Sequence, residues 1–261
     1  MEIILNELSF LNISKRINEN KKLIIFDKLN KTGIKRFLVD LPSNPVEDKN
    51  VRLLFSRMKK GNNIELLASV NNEIDARNAL LYEFDGISTT INLDDIKGGI
   101  TELTESLEYA KYMLDIVNGA NIRLKKVYID SLLNTSLHKY LIVKLIESLL
   151  YIGYNDIVIM DGKNTPLSVF NKQLDNIVKH IKPDSITMHI HDVNKLASAK
   201  LYTCIEHGIR SFDGSIAGLG FDMATELIIE ILYNEGIKLD IKPDKVNNVA
   251  KWVKQNFKSH L

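Results

Sequence analysis

Residues 136–161 read SLHKYLIVKLIESLLYIGYNDIVIMD. From Leu141 onward the apolar residues recur every three or four positions, the spacing of one helical face. Gly153 then offers the left-handed residue that stops a helix and turns the chain. The run that follows, Ile157 to Met160, has strand length, and an acid, Asp161, closes it. The same phrase recurs on both sides: KTGIKRF around Gly33 and EHGIRSF around Gly208 repeat the order helix, glycine, strand. Strand-length runs at 2–6, 34–40, 64–69, 86–90, 122–129, 156–160, 185–190 and 209–213 alternate with helical patterns at 15–31, 47–60, 72–82, 100–118, 136–151, 165–181, 194–207 and 222–234. Eight strand-helix units in about 235 residues exceed the usual content of an open doubly wound sheet. They predict an α/β chain folded as a (β/α)8 TIM barrel over 1–240. An amphipathic segment at 245–257, with Val246, Val249, Trp252, Val253 and Phe257 on one side, predicts an extra C-terminal helix within an extension at 241–261. That helix is read as a cover or as a contact with a second copy of the chain or a related subunit.

Composition narrows the function classes. The chain has 261 residues, and its 34 Lys and Arg against 33 Asp and Glu remove the long-range field of a nucleic-acid or anionic-membrane binder. No apolar stretch reaches membrane-spanning length, and MEIILNELSF lacks a basic region leading into a long apolar one. A cytoplasmic protein is expected. The single cysteine, Cys204, excludes an internal disulfide and a cysteine-based metal cluster, and it falls on the apolar face of a predicted helix. Neither a Walker loop nor a GxGxxG fingerprint is present.

In such barrels chemistry collects where strands end, so the polar residues there carry the information. They are Asn6, Glu7, Asp40, Ser69, Asn71, Asp130, Ser131, Asp161, His189, His191 and Asp213. His189 and His191 are the main pair, because alternate strand residues share a face and two imidazoles at that spacing can hold one cation. A pair of barrel-interior histidines held by neighbours fits the same spacing. Imidazole with carboxylate ligands suits Zn, Mn, Fe or Co, and Mg less naturally. A second signal is SIAGLGFDMATE at 215–226, where Gly214, Gly218 and Gly220 allow a ligand close to the backbone, and Asp222 reads equally as a helix N-cap. In IMDGKNTP, Asp161 could accept a proton or order a ligand hydroxyl, and an ordinary Asp-Gly turn explains it as well.

HIHDVNKLASAK at 189–200 resembles the HxHDxxGxAxAN phrase of the DRE-TIM metallolyases, with Asn194 and Lys200 at the places of its glycine and last asparagine. DGSIAGLG followed by MATELIIEILYNEGIKLDI is similar to the hydroxymethylglutaryl-CoA lyase branch, MDGKNTP looks like a shortened DTxGxxxP, and FLVDLPS takes the place of the acidic strand-two segment with Asp40. The resemblance covers about residues 155–240. It implies a divalent metal (Mn, Mg, Zn or Co) on His189 and His191; Asp222, at the place of a metal-proximal asparagine, is read as the third ligand, Glu7, Asp40 and Asp161 as catalytic carboxylates, and Ser131, Gly218 and Gly220 as substrate contacts. The implied activity is metal-assisted cleavage or condensation of a carbon-carbon bond in a small carboxylic acid, oxo or hydroxy, or its acyl thioester. Polarising the substrate carbonyl stabilises the enolate that develops.

Two departures set the alternatives. The Arg-Asp pair that closes strand one in that family is replaced by ILNELSFLN, and the cysteine-bearing loop between GLG and ATE is missing. On one reading Glu7 and Asp222 restore the lost negative charge and the metal stays. On the other no third ligand forms, and the barrel binds a metabolite or a partner without catalysis. A third is a Schiff-base aldolase using Lys163.

Overall fold

The strands of this computed structural model close on one another in chain order, all parallel: β1 (Ile4–Glu7), β2 (Arg36–Asp40), β3 (Glu65–Ser69), β4 (Gly86–Asn92), β5 (Leu124–Asp130), β6 (Asp156–Met160), β7 (Ile186–His189) and β8 (Ser211–Gly214), with β8 returning to β1. The structure describes residues 2–12, 17–41, 49–61, 63–93, 100–134, 137–162, 164–193 and 195–257. Between the strands run α1 (Ser9–Asn12), α2 (Glu19–Leu29), α3 (Lys49–Lys59), α4 (Glu73–Leu81), α5 (Ile100–Val117), α6 (Lys139–Ile152), α7 (Leu167–Val178), α8 (Ala197–Glu206) and α9 (Thr225–Asn234). This is the (β/α)8 barrel that the alternation predicts. Gly153 ends α6 at φ 116°, where a side chain would be strained, and Gly33 and Gly208 turn the chain in the same way.

The extra helix is α10 (Pro243–Asn256), packed against α9 and α2. Trp252 is covered from within the chain, by the Lys28 ammonium 4.6 Å from its ring centroid and by Phe257 edge-on at 5.6 Å. Among the described residues no helix is long and apolar enough to cross a membrane.

Strand alternation splits the core in two. Ile157 and Ile159 of β6, Ile186 and Met188 of β7, and Phe37 and Val39 of β2 face outward into the layer shared with the helices. The inner face is apolar on one side of the barrel, with Leu38, Leu67, Tyr128 and Val158 in mutual contact. On the other side it is polar. Asn6 Nδ2 donates to Asp213 at 2.8 Å, and the Thr187 hydroxyl lies 2.7 Å from Asp156 and 2.6 Å from Ser211. The fully buried Lys126 ammonium sits 3.2 Å from Asp156 and 3.6 Å from Asp213. Burial pushes the Asp213 carboxyl up, and the attraction of Lys126 and His189 more than reverses this, leaving it below the usual carboxylate range.

Replacing Lys126 with Met removes the cation that faces buried Asp213 and half-buried Asp156. The expected loss is about 3–5 kcal/mol of unfolding free energy, read from urea titration. A loss below about 1 kcal/mol would contradict the ion pairs described above.

Candidate metal centre

The sequence ITMHIH carries its two histidines on the inner face, because Ile186, Met188 and Ile190 take the outer one. His189 ends β7 and His191 lies just past it, in an isolated antiparallel bridge with Asp222. The flanking bonds, Asp192 N–H to Phe221 O and Met223 N–H to Ile190 O, are both 2.8 Å. His191 and Asp222 thus form the non-hydrogen-bonded pair, in which facing side chains come closest. The chain reaches this position by folding back after β8 through Ala217, Gly218, Gly220 and Phe221, all at φ between 64° and 75°. Asp222 therefore does not cap α9, whose N-cap is Ala224 without a side-chain bond.

The three side chains converge. The His189 and His191 ring centroids are 4.8 Å apart, His189 Nε2 is 3.3 Å from Asp222 Oδ1, and the ligand atoms of His189, His191 and Asp222 all lie within 4.8 Å of one another. All three residues are buried. Each imidazole has its Nδ1 occupied from behind: His189 by Asp213 at 3.3 Å and His191 by Asp161 at 2.7 Å. Asp161 also accepts the His191 backbone N–H, and its other oxygen pairs with buried Lys200 at 2.5 Å. Each ring thus presents Nε2 to the common space, oriented by an outer carboxylate. Burial pushes the His189 imidazole down, but Asp222 and Asp213 outweigh it and raise its pKa well above the ordinary value. The field at this point favours positive charge. Two imidazoles and one carboxylate fit a divalent transition ion such as Zn, Mn or Co.

The cluster opens into a cavity of about 580 Å³ at the C-terminal end of the strands. Leu8 and Leu38 form an apolar side of it, while Ser88, Thr90 and Asp130 from β4 and β5 form a polar one. Tyr128 stands edge-on to His189 with ring centroids 6.1 Å apart, and burial together with Asp213 keeps its phenol protonated.

Several expected site residues are placed differently. Ser131 and Gly220 line the cavity, and Gly218 does not, lying deeper in the turn. Asp40 ends β2 half-buried and is not part of the lining. Asp161 stands behind His191 rather than in the cavity. Glu7 is a correction: Asn6 faces inward, so Glu7 faces outward, and its carboxylate accepts hydrogen bonds from Ser9, Ile216 and Thr225 instead of joining the histidines. The next inward residue of that stretch is Leu8, which offers no ligand. Lys163 and Asn194 lie outside the described residues. Sequence reasoning passed over Lys126, Tyr128 and the partnership of Lys200 with Asp161. The first two share the inner face of RLKKVYID with Asp130, a period-two signal that was there to be read.

A closed parallel barrel with its polar cluster at the C-terminal rim defines the class of (β/α)8 barrels that carry their site at that face. This chain belongs to the HMGL-like family, whose description matches residues 12–253. It is 27% identical over 169 residues to a hydroxymethylglutaryl-CoA lyase of Bacillus subtilis, covering 59% of this chain and 56% of that protein. It is 25% identical over 239 residues to a 2-isopropylmalate synthase of Buchnera aphidicola, covering 86% of this chain and 45% of that one. The chain thus spans about half the length of these curated relatives. In fold it is similar to the Bacillus HMG-CoA lyase crystal structure, with TM-score 0.84 and 20% identity over 97% of this chain and 93% of that one. It also matches an Acinetobacter HMG-CoA lyase solved with coenzyme A and 3-methylmalate, with TM-score 0.80 and 15% identity over 97% and 90% of the two chains.

Glu7 gives the site a measurable pH signature. Burial raises its carboxyl from 4.5 to about 7, against the lowering effect of its hydrogen bonds, and the groups that bond it, from Ser9, Ile216 and Thr225, are uncharged. The folded chain therefore holds this proton more tightly than the unfolded one. Its contribution is complete below about pH 4.5 and is lost as pH climbs to about 7, a swing on the order of 3 kcal/mol. Thermal unfolding of native protein and Glu7→Gln between pH 4 and 8 should show the native chain losing more stability than the variant between about pH 4.5 and 7, and identical slopes there would refute it.

Proposed function

We propose that this protein is a divergent metal-dependent enzyme that cleaves or forms a carbon-carbon bond in a small oxo- or hydroxy-acid or its acyl thioester. The observation that carries the reading is the convergence of His189, His191 and Asp222 within 4.8 Å, with both Nδ1 atoms already engaged. The names of the relatives support it, a lyase and a synthase acting on such compounds, as does the coenzyme A and 3-methylmalate bound by the Acinetobacter protein.

In this reading His189 and His191 hold the ion through Nε2, and Asp222 brings one negative charge to it. Bound there, a divalent cation supplies Lewis acidity toward a carbonyl oxygen. Asp161 and Asp213 keep both rings in the Nδ1–H tautomer. Asp130, at the cavity rim beside the Ser131 hydroxyl at 3.3 Å, is the carboxylate positioned to take a proton from a substrate hydroxyl as the bond breaks. The Ser88 and Thr90 hydroxyls bind polar substituents, and Leu8 and Leu38 keep water from that side.

The test begins with metal content after purification without chelator, for native protein, His189→Ala and Asp222→Ala. Native protein should carry close to one equivalent of a divalent ion, and each variant should bind it at least about tenfold more weakly. Loaded protein is then offered hydroxyacyl thioesters and hydroxy acids, with release of the carbonyl fragment as readout. Native protein that takes up no ion on loading would leave a binding barrel and no catalyst.

A further inference from the structure

We propose that Glu7 is a positioning residue for Asp222, pinning both ends of the loop that carries this ligand to the barrel wall. Glu7 Oε1 accepts the Ile216 N–H at 3.0 Å, the Ser9 N–H at 3.1 Å and the Ser9 hydroxyl at 2.5 Å. Glu7 Oε2 accepts the Thr225 hydroxyl at 2.7 Å. Ile216 is where the loop leaves β8 and Thr225 is where it enters α9, so one side chain holds the entrance and the exit. Ser9 reinforces the entrance, its Oγ accepting the Ile216 N–H at 2.8 Å and lying 3.3 Å from the Ser215 hydroxyl.

The loop needs such anchors. Ala217 and Phe221 carry side chains at φ 64° and 68°, a conformation that non-glycine residues leave unless their surroundings hold them. Phe221 is 69% exposed and finds little packing to hold it. Beyond Glu7, the loop is held by the two backbone bonds flanking Asp222, by the Ala217 N–H on Glu226, by packing against α10 and α9, and by the backbone bonds Ser215 N–H to Met223 O at 3.2 Å and Thr225 N–H to Ser215 O at 3.1 Å, which the Glu7 side chain backs from the barrel wall. Four donors converge on Glu7, and a buried group that must accept from two N–H and two O–H groups is best an acceptor with two oxygens. The entire Glu7 residue is buried, although its side chain touches neither histidine and does not line the cavity.

The affinity arm of the test rests on the cation site proposed above, whereas the exchange arm does not. Full-length protein, Glu7→Leu, Glu7→Gln and Thr225→Val are compared by hydrogen exchange across residues 215–225 and by Zn2+ binding against a chromophoric chelator. Glu7→Leu should speed exchange in that segment relative to the rest of the barrel and weaken Zn2+ binding at least about tenfold. Gln can still accept the Ile216 N–H and donate to the Thr225 oxygen, so Glu7→Gln should restore affinity to within about threefold of native. Thr225→Val removes only the exit anchor, preserves the fold if Glu7→Leu does not, and should lie between the two. The proposal is overturned if Glu7→Leu, or Thr225→Val where Glu7→Leu does not fold, binds Zn2+ within about twofold of native, whatever its melting temperature. If native protein binds no Zn2+, the cation reading fails. Exchange then decides alone: faster exchange confined to 215–225 supports the clamp, and unchanged exchange overturns it.

Discussion

A buried neutral imidazole donates through one nitrogen and accepts through the other, and what stands behind the ring decides which is which. Here Asp213 stands behind His189 and Asp161 behind His191, both against Nδ1. Both Nε2 lone pairs are thereby turned toward the space that Asp222 enters from the loop. Neither outer carboxylate could remain ionised at that depth without a counter-charge. Each has one, since Asp213 faces Lys126 and Asp161 faces Lys200. The two rows of histidine, aspartate and lysine come from different elements and share one order, with Lys126 facing Asp156 as well as Asp213. In the His189 row the single lysine is shared between Asp213 and Asp156, and Asp222 adds a further carboxylate at the front of the ring, so the acids around His189 draw positive charge to it. The orientation of the donors is thus set by Asp213 and Asp161, and the charge around them by the acids and lysines together.

The polar half of the barrel interior is what this arrangement requires. An interior filled by aliphatic layers on every strand would leave no room for Lys126, Asp156 and Asp213 beneath His189. The apolar inner layer is instead one-sided, formed by Leu38, Leu67, Tyr128 and Val158 of β2, β3, β5 and β6 with Leu8 just past β1. Stability then depends on the outer layer, where the helices cover the outward faces of all eight strands. The two jobs are divided between the two faces of the same strands.

How far the sequence reveals this depends on the range of each interaction. The barrel was readable because outward residues such as Ile157 and Ile159, and the faces of the helices, repeat locally. The histidine pair was readable for the same reason. Glu7 was not, because its role turns on a frame shift of one residue: the strand runs from Ile4 to Glu7, and such a shift exchanges the inner and outer faces. Asp222 entered as a ligand through family likeness, while its own neighbourhood looks like a helix cap. Its true partner, His191, lies far back in the chain, and an antiparallel bridge between two loops leaves no periodic trace. Asp161 was visible as an acid ending a strand, but only the register of Met160 against His189 places it behind a ring instead of before a substrate.

The source of the third ligand has a mechanical consequence. A carboxylate on β1 would be fixed by the barrel itself, independent of any loop. In this chain the inner position at that end of the barrel is Leu8, and the carboxylate arrives on a segment bent through four left-handed residues. The backbone bonds at Phe221 and Met223 that hold the bend also flank Asp222. Loop conformation and ligand geometry are therefore one variable, and whatever relaxes Phe221 withdraws Asp222 from the histidines. A cation bound at the cluster would stabilise the bend by the same coupling, because only the bent loop presents all three donors together.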